Sequence, residues 1–247
     1  MLLLFTFNVA PVEGGHRLKP MVAVVASIVG IGFAGYGAYV FTGGQRYSAE
    51  KVMINQAVLA EMTPEEIAPP TAHRRGSIGG PVKLVVLADL ACAGCADLHR
   101  RLESLTTGLK GIEWVFRHRP LTMLPGHEAS GLGAVCAEIA GEKGKFWEFV
   151  DAVYGGNEEP SEAVYRNELL QLGIKDDPIK RFNNPKDPAT MRAQADLAFA
   201  GKLSIISTPT IIILVKGLKP IGANAHTLTK TMQRDDIASV LAEANPQ

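Results

Sequence analysis

The sequence predicts an α/β domain carried behind one N-terminal transmembrane helix, and three observations predict it. From Met21 to Phe41 there are 21 residues without a charge or a proline. From Val82 onward, β-favouring runs alternate with amphipathic helical stretches. Between the first such strand and the first such helix stands Cys92-Ala93-Gly94-Cys95, which holds two of the three cysteines. Composition bounds the rest. At about 150 residues per domain, 247 residues make one domain with an appendage, or two small ones. Lys+Arg and Asp+Glu both total 25, so no bulk field recruits nucleic acid, and no nucleic-acid partner is expected. Hydrophobic residues at 47% and charged residues at 20% describe a folded chain, and three cysteines are too few for a disulfide scaffold.

Residues 1–20 form an N-terminal segment whose apolar patch, Leu2 to Phe7, is too short to cross a bilayer. Residues 21–41, as a helix, measure about 31 Å, against a hydrocarbon core of about 30 Å. A cleavable signal peptide would have a shorter apolar core and a cleaner cleavage site, so an anchor is expected, with secretion the outcome if the segment is removed. Arg17 and Lys19 before the span balance Arg46 and Lys51 after it, so charge alone leaves the orientation open. Residues 42–80 read as a linker, with Thr63 capping a short helix that starts at Pro64.

The domain then occupies residues 81–247. Val82–Leu87 is a buried strand. Leu98, Leu102, Leu105 and Leu109 line one face of a helix whose N-terminus is the cysteine pair, and Ile112–Phe116 is a second strand. A helical insertion covers about 127–202, with Leu132, Cys136 and Ile139 on one face and Phe146, Phe149, Val150 and Val153 on another. Ile211–Val215 and a strand near Leu218–Ile221 make a hairpin around Lys216-Gly217. A last helix presents Ile237, Val240, Leu241 and Ala244. Strand, C-x-x-C, helix, strand, helical insertion, hairpin and helix is a thioredoxin-type layout.

At the start of a helix, C-x-x-C spacing brings both sulfurs within disulfide reach and aims the first at free backbone N–H groups and the positive end of the helix. That field favours the thiolate, so Cys92 is expected to be the nucleophile and Cys95 the buried resolving thiol, a redox-active pair. A structural zinc site would need four ligands, and Cys92, Cys95 and His99 supply three at most. A c-type haem would need His where Ala96 stands. A metal-handling module, such as a copper chaperone using the same cysteines, remains the alternative from another class. Cys136, on an apolar stripe, is expected to be a buried free thiol. His99, Asp97, Arg100 and Arg101 are expected on the solvated face of the active-site helix.

Five blocks in order carry a family resemblance: Asp89-Leu90-Ala91-Cys92-Ala93-Gly94-Cys95; Phe116-Arg117-His118-Arg119-Pro120-Leu121; His127-Glu128-Ala129 with Ala134-Val135-Cys136-Ala137; Gly144-Lys145-Phe146-Trp147-Glu148-Phe149-Val150-Asp151-Ala152; and Ser207-Thr208-Pro209-Thr210-Ile211. Over about residues 82–245 the chain resembles the DsbA-like thioredoxin-fold family of bacterial envelope thiol–disulfide oxidoreductases. The resemblance implies a catalytic pair at Cys92 and Cys95, with a cis peptide bond at Pro209 beside them. It also implies that Thr208 offers its backbone to substrate, that no cofactor is needed, and that partners are cysteine-containing proteins and an envelope redox protein. It places the domain at the bacterial inner membrane, facing the periplasm or exterior. Departures are Ala93-Gly94 between the cysteines, Val86 where the family often has a buried Glu, and Ser207 where it has Gly. Asp89 keeps an acidic position, either as part of the site or as a solvated turn residue. Lacking a side-chain donor in the dipeptide, the couple is expected to be less oxidising than the strongest family members, near about −200 mV rather than about −120 mV.

Overall fold

The computed structural model describes residues 54–224. In chain order these form α1 (Gln56–Glu61), α2 (Pro64–Ile67), β1 (His73–Gly76), β2 (Val82–Ala88), α3 (Ala93–Thr106) and β3 (Ile112–His118). Then come α4 (Ser130–Glu142), α5 (Phe146–Gly155), α6 (Glu162–Gln171), α7 (Pro178–Phe182), α8 (Pro188–Lys202), β4 (Thr210–Val215) and β5 (Ile221–Asn224). The expected span at 21–41 and the expected last helix lie outside the described residues.

The strands make one sheet in the order β1-β3-β2-β4-β5. β2 and β3 run parallel, with Val85 opposite Val115, because α3 carries the chain across between them. β4 lies antiparallel on the other side of β2, Val85 facing Ile212, and β5 folds back on β4. β3 is buried throughout and β2 nearly so, as expected for strands covered on both faces. The alternation is visible in the packing. Leu84, Trp114 and Ile211 join Leu98 and Leu102 of α3 in one core. Val85, Val115 and Ile212 join Phe199, Ala200 and Leu203 on the opposite face.

The linker reading of 42–80 needs correction for its described part, because residues from 54 on belong to the domain. Ile54, Leu59 and Ile67 are buried in the second core, and β1 pairs antiparallel with β3. Thr63 does cap α2, in a reciprocal capping box with Glu66. The sequence does not announce this strand, because His73-Arg74-Arg75-Gly76 has no apolar alternation. It is held by its backbone ladder and by charge: Arg74 pairs with the fully buried Glu113, and Arg75 with Asp151 of α5. α3 ends at Thr106, short of Leu109, where Gly108 takes a φ of +75° that leaves the helix. The hairpin turns at Gly217, and its second strand begins at Ile221, three residues later than expected.

α4 is the axis of the insertion and packs against α5, α6, α7 and α8, so it is buried continuously from Leu132 to Ala140 and not on one stripe alone. Its Gly133 is required by a neighbour: a Cβ there would stand 2.6 Å from the Tyr165 ring, which is fully buried and cannot yield. Gly133→Ala should therefore destabilise by about 1–3 kcal/mol, although alanine alone would favour a helix by about 1 kcal/mol. Urea unfolding checks the sign: a variant as stable as the parent would show that α4 and α6 can separate freely.

Candidate active site

β2 ends at Ala88, the chain turns through Asp89–Ala91, and Cys92 is the N-cap of α3 in an extended conformation (φ −90°, ψ 113°). This places one sulfur at the mouth of the helix and the other one turn inside it. Cys92 is half-buried, with its Sγ 3.7 Å from the Thr208 carbonyl oxygen. Cys95 is 2% exposed, and the Asp89 backbone N–H points at its Sγ from 3.5 Å. The Thr208–Pro209 bond is cis, as the resemblance implied. A Cβ on Gly94 would sit 3.5 Å from Pro209 Cδ and 3.7 Å from Cys92 Sγ, so the dipeptide lies directly against the proline.

The two sulfurs have opposite electrostatics. The neighbouring Cys95 thiol donates to Cys92 and, against the cost of burial, lowers its pKa to about 6; Thr208 and the backbone N–H groups of Cys95 and Gly94 add to this. Burial pushes Cys95 well above its ordinary value, and proximity to Cys92 pushes it further. Cys136 is fully buried, and burial raises it to about 12, as a free core thiol should behave.

Several polar residues stand where the sequence did not put them. Asp89 is 1% exposed and is no solvated turn residue. Its carboxylate accepts from the N–H groups of Ala91 (2.9 Å) and Leu121 (2.9 Å) and bonds His127 Nδ1 (2.8 Å), tying the loop after β3 to the cysteine turn. Its carbonyl accepts from the Cys92 N–H and from the Tyr154 hydroxyl, 3.1 Å away. His99 is not on the solvated face: it is 9% exposed, packed among Trp114, Trp147 and Tyr154, with Nε2 2.8 Å from Asp151 Oδ1. Asp97, Arg100 and Arg101 do lie on the exposed side of α3, Asp97 and Arg100 pairing there. His118 bonds Glu138 of α4, its Nε2 3.1 Å from the carboxylate. The sequence marks Tyr154 only by its place in the aromatic run of α5.

A β-α-β unit with a dithiol at the N-terminus of its helix, closed by a cis-proline loop and interrupted by a helical insertion, defines the thioredoxin-fold class. The chain belongs to the thioredoxin family, whose sequence model matches residues 68–226. Similar folds include a thioredoxin-like oxidoreductase from Silicibacter pomeroyi (TM-score 0.57, 19% identity, 74% of this chain and 98% of that one). Others are the catalytic domain of Proteus mirabilis ScsC (0.55, 16%, 76% and 97%) and the thiol-disulfide exchange protein alpha-DsbA2 from Wolbachia pipientis (0.54, 18%, 74% and 95%). Curated relatives include the Na(+)/H(+) antiporter NhaA 1 of Salinispora arenicola, 27% identical over 194 residues, 74% of this chain and 29% of that protein. The Na(+)/H(+) antiporter NhaA 3 of Salinispora tropica is 29% identical over 161 residues, 64% and 24%. The chain thus spans less than a third of the length of these curated relatives.

Proposed function

We propose that this chain is a membrane-anchored thiol–disulfide oxidoreductase that forms, reduces or isomerises disulfides in extracytoplasmic proteins through Cys92 and Cys95. The observation that carries the reading is the division between the sulfurs. One is accessible and thiolate-favouring, and the other is buried and protonated, which is what attack followed by internal resolution needs. Thr208 and Pro209, against Cys92, receive the substrate backbone. The partners are cysteine-containing proteins and a membrane or envelope redox protein. The metal-handling alternative would use the same two sulfurs, and no further observation favours it.

Residues 21–41 hold the domain at the bacterial inner membrane, facing the periplasm or exterior, where disulfide chemistry is permitted. Support comes from the uncharged length of that segment and from relatives named as ion antiporters, proteins of membranes. A reporter active only outside the cytoplasm, fused to the C-terminus, should give signal in the membrane fraction, and the purified protein should reduce insulin. Equilibration with glutathione should return a potential near about −200 mV. Signal from a cytoplasmic reporter alone would reverse the placement, and failure to exchange any protein disulfide would remove the activity.

A further inference from the structure

Resting on the dithiol reading, a second question is where the proton of Cys95 goes. A thiol attacks only as its thiolate. Cys95 is 2% exposed, and burial holds its proton on, so bulk water is not the acceptor. Beside it lies a small internal cavity of about 10 Å³, the room one water molecule needs, walled by Val86, Cys95, His99, Trp114, Trp147 and Tyr154. Val86 brings only methyl groups. The indole N–H groups are donors only, and that of Trp147 is already given to the Arg74 carbonyl. The Tyr154 hydroxyl donates to the Asp89 carbonyl, and burial raises it well above its ordinary value, so it holds its own proton. The imidazole of His99 is the one basic group on the wall. Its Nε2 is committed to Asp151, which leaves Nδ1 to accept.

We propose that His99 is the proton acceptor for the Cys95 thiol, reached through a water molecule seated in this cavity, with Asp151 as the residue that positions it. Around His99 the charged and titratable groups are few. Asp151 and Tyr154 face it from α5, and Cys95 from its own helix. Arg75 of β1 stands behind Asp151 and 3.9 Å from Glu103. Arg100 turns away to the Tyr154 carbonyl and Asp97. Asp151 suffers from burial but is held below the usual carboxylate range by His99 and Arg75, so it is ionised and able to fix the Nε2–H tautomer and balance an imidazolium.

With Cys92 bonded to a substrate sulfur, the Cys95 proton passes through the water to His99 Nδ1. The Cys95 sulfur then bonds Cys92 Sγ, and the Cys92–substrate S–S bond breaks with its electron pair on the substrate sulfur, which takes a proton from solvent. The protein dithiol is oxidised and the substrate disulfide reduced. In the reverse direction Cys95 leaves as thiolate and is reprotonated from His99.

Reduced full-length protein mixed with dithiobis(nitrobenzoate) releases two thionitrobenzoates, the first on attack by Cys92 and the second on resolution by Cys95. His99→Gln should leave the first phase unchanged and slow the second about 10²-fold, with the residual rate rising in proportion to hydroxide. Asp151→Asn, which keeps the side-chain shape, should slow the second phase by a smaller factor. A second phase unchanged in both variants overturns the proposal, and so does equal slowing of both phases, which would make His99 a packing residue. Failure of the dithiol reading looks different: the wild type itself would show no fast first phase.

Discussion

Cys92→Ala should abolish exchange with protein disulfides, while Cys95→Ala should still attack them and accumulate mixed disulfides through Cys92. The asymmetry follows from the two sulfur environments. With a pKa of about 6, Cys92 is about nine-tenths thiolate at pH 7, against a few per cent for an ordinary cysteine. That is about a 30-fold gain in the reactive form. The same stabilisation makes each thiolate a weaker nucleophile by about tenfold, given a Brønsted slope of about 0.45. The net advantage in attack at pH 7 is therefore only about threefold, and the larger benefit is to Cys92 as a leaving group. Iodoacetamide labelling of the reduced protein should rise through pH 6 and flatten by pH 7, with Cys95 and Cys136 unlabelled while the fold is intact. A labelling midpoint near 8.5 would remove the basis of the assignment, and mixed disulfides accumulating in Cys92→Ala would reverse it. Stability follows the same linkage. A depressed folded-state pKa stabilises the dithiol form above the unfolded value of about 8.5, and that contribution is lost as pH falls through about 6. The reduced form should gain on the oxidised form between pH 5 and 9.

Glu138→Ala should cost about 3–5 kcal/mol of folding stability, the penalty of breaking a buried ionic network from one side. Glu138 is 3% exposed on α4. It bonds His118 of β3 at 3.1 Å, His73 of β1 at 3.2 Å, and Arg192 of α8 at 2.5 Å. Burial alone would raise its pKa, but bonds from His118 and His73 reverse this and hold the carboxyl far below the usual range. Removing it leaves the fully buried His118 without that bond and Arg192 with only Glu142. The wild-type contribution is complete above the unfolded carboxylate value of about 4.3 and is lost as pH falls through the lower folded value. The variant should unfold at much lower urea at pH 7 with an unchanged slope, and the gap should narrow toward pH 2. A shift under about 1 kcal/mol at pH 7 would mean that the network is replaced by solvent at little cost.

Much of this protein is legible in one dimension, because local rules write it there. The apolar runs of β2, β3 and β4, the leucine stripe of α3 and the cysteine spacing at its first turn all state their structure within a few neighbouring residues. The cis bond at Pro209 comes only with the family resemblance, since Thr208-Pro209 by itself reads as a strand-start proline. Family blocks supplied the order and the insertion. The polar residues are another matter. Asp89 reads equally as a turn residue or a buried one, and only Leu121 and His127, more than 30 residues away, decide it. His99 falls on a helix face that looks solvated until α5 brings Trp147, Asp151 and Tyr154 over it. The strand at 73–76 carries no hydrophobic period, since its partners are the ladder of β3 and two carboxylates from distant segments. Apolar burial is announced by repetition along the chain. A polar group is buried only where remote partners satisfy it, and those partners meet only in the folded molecule.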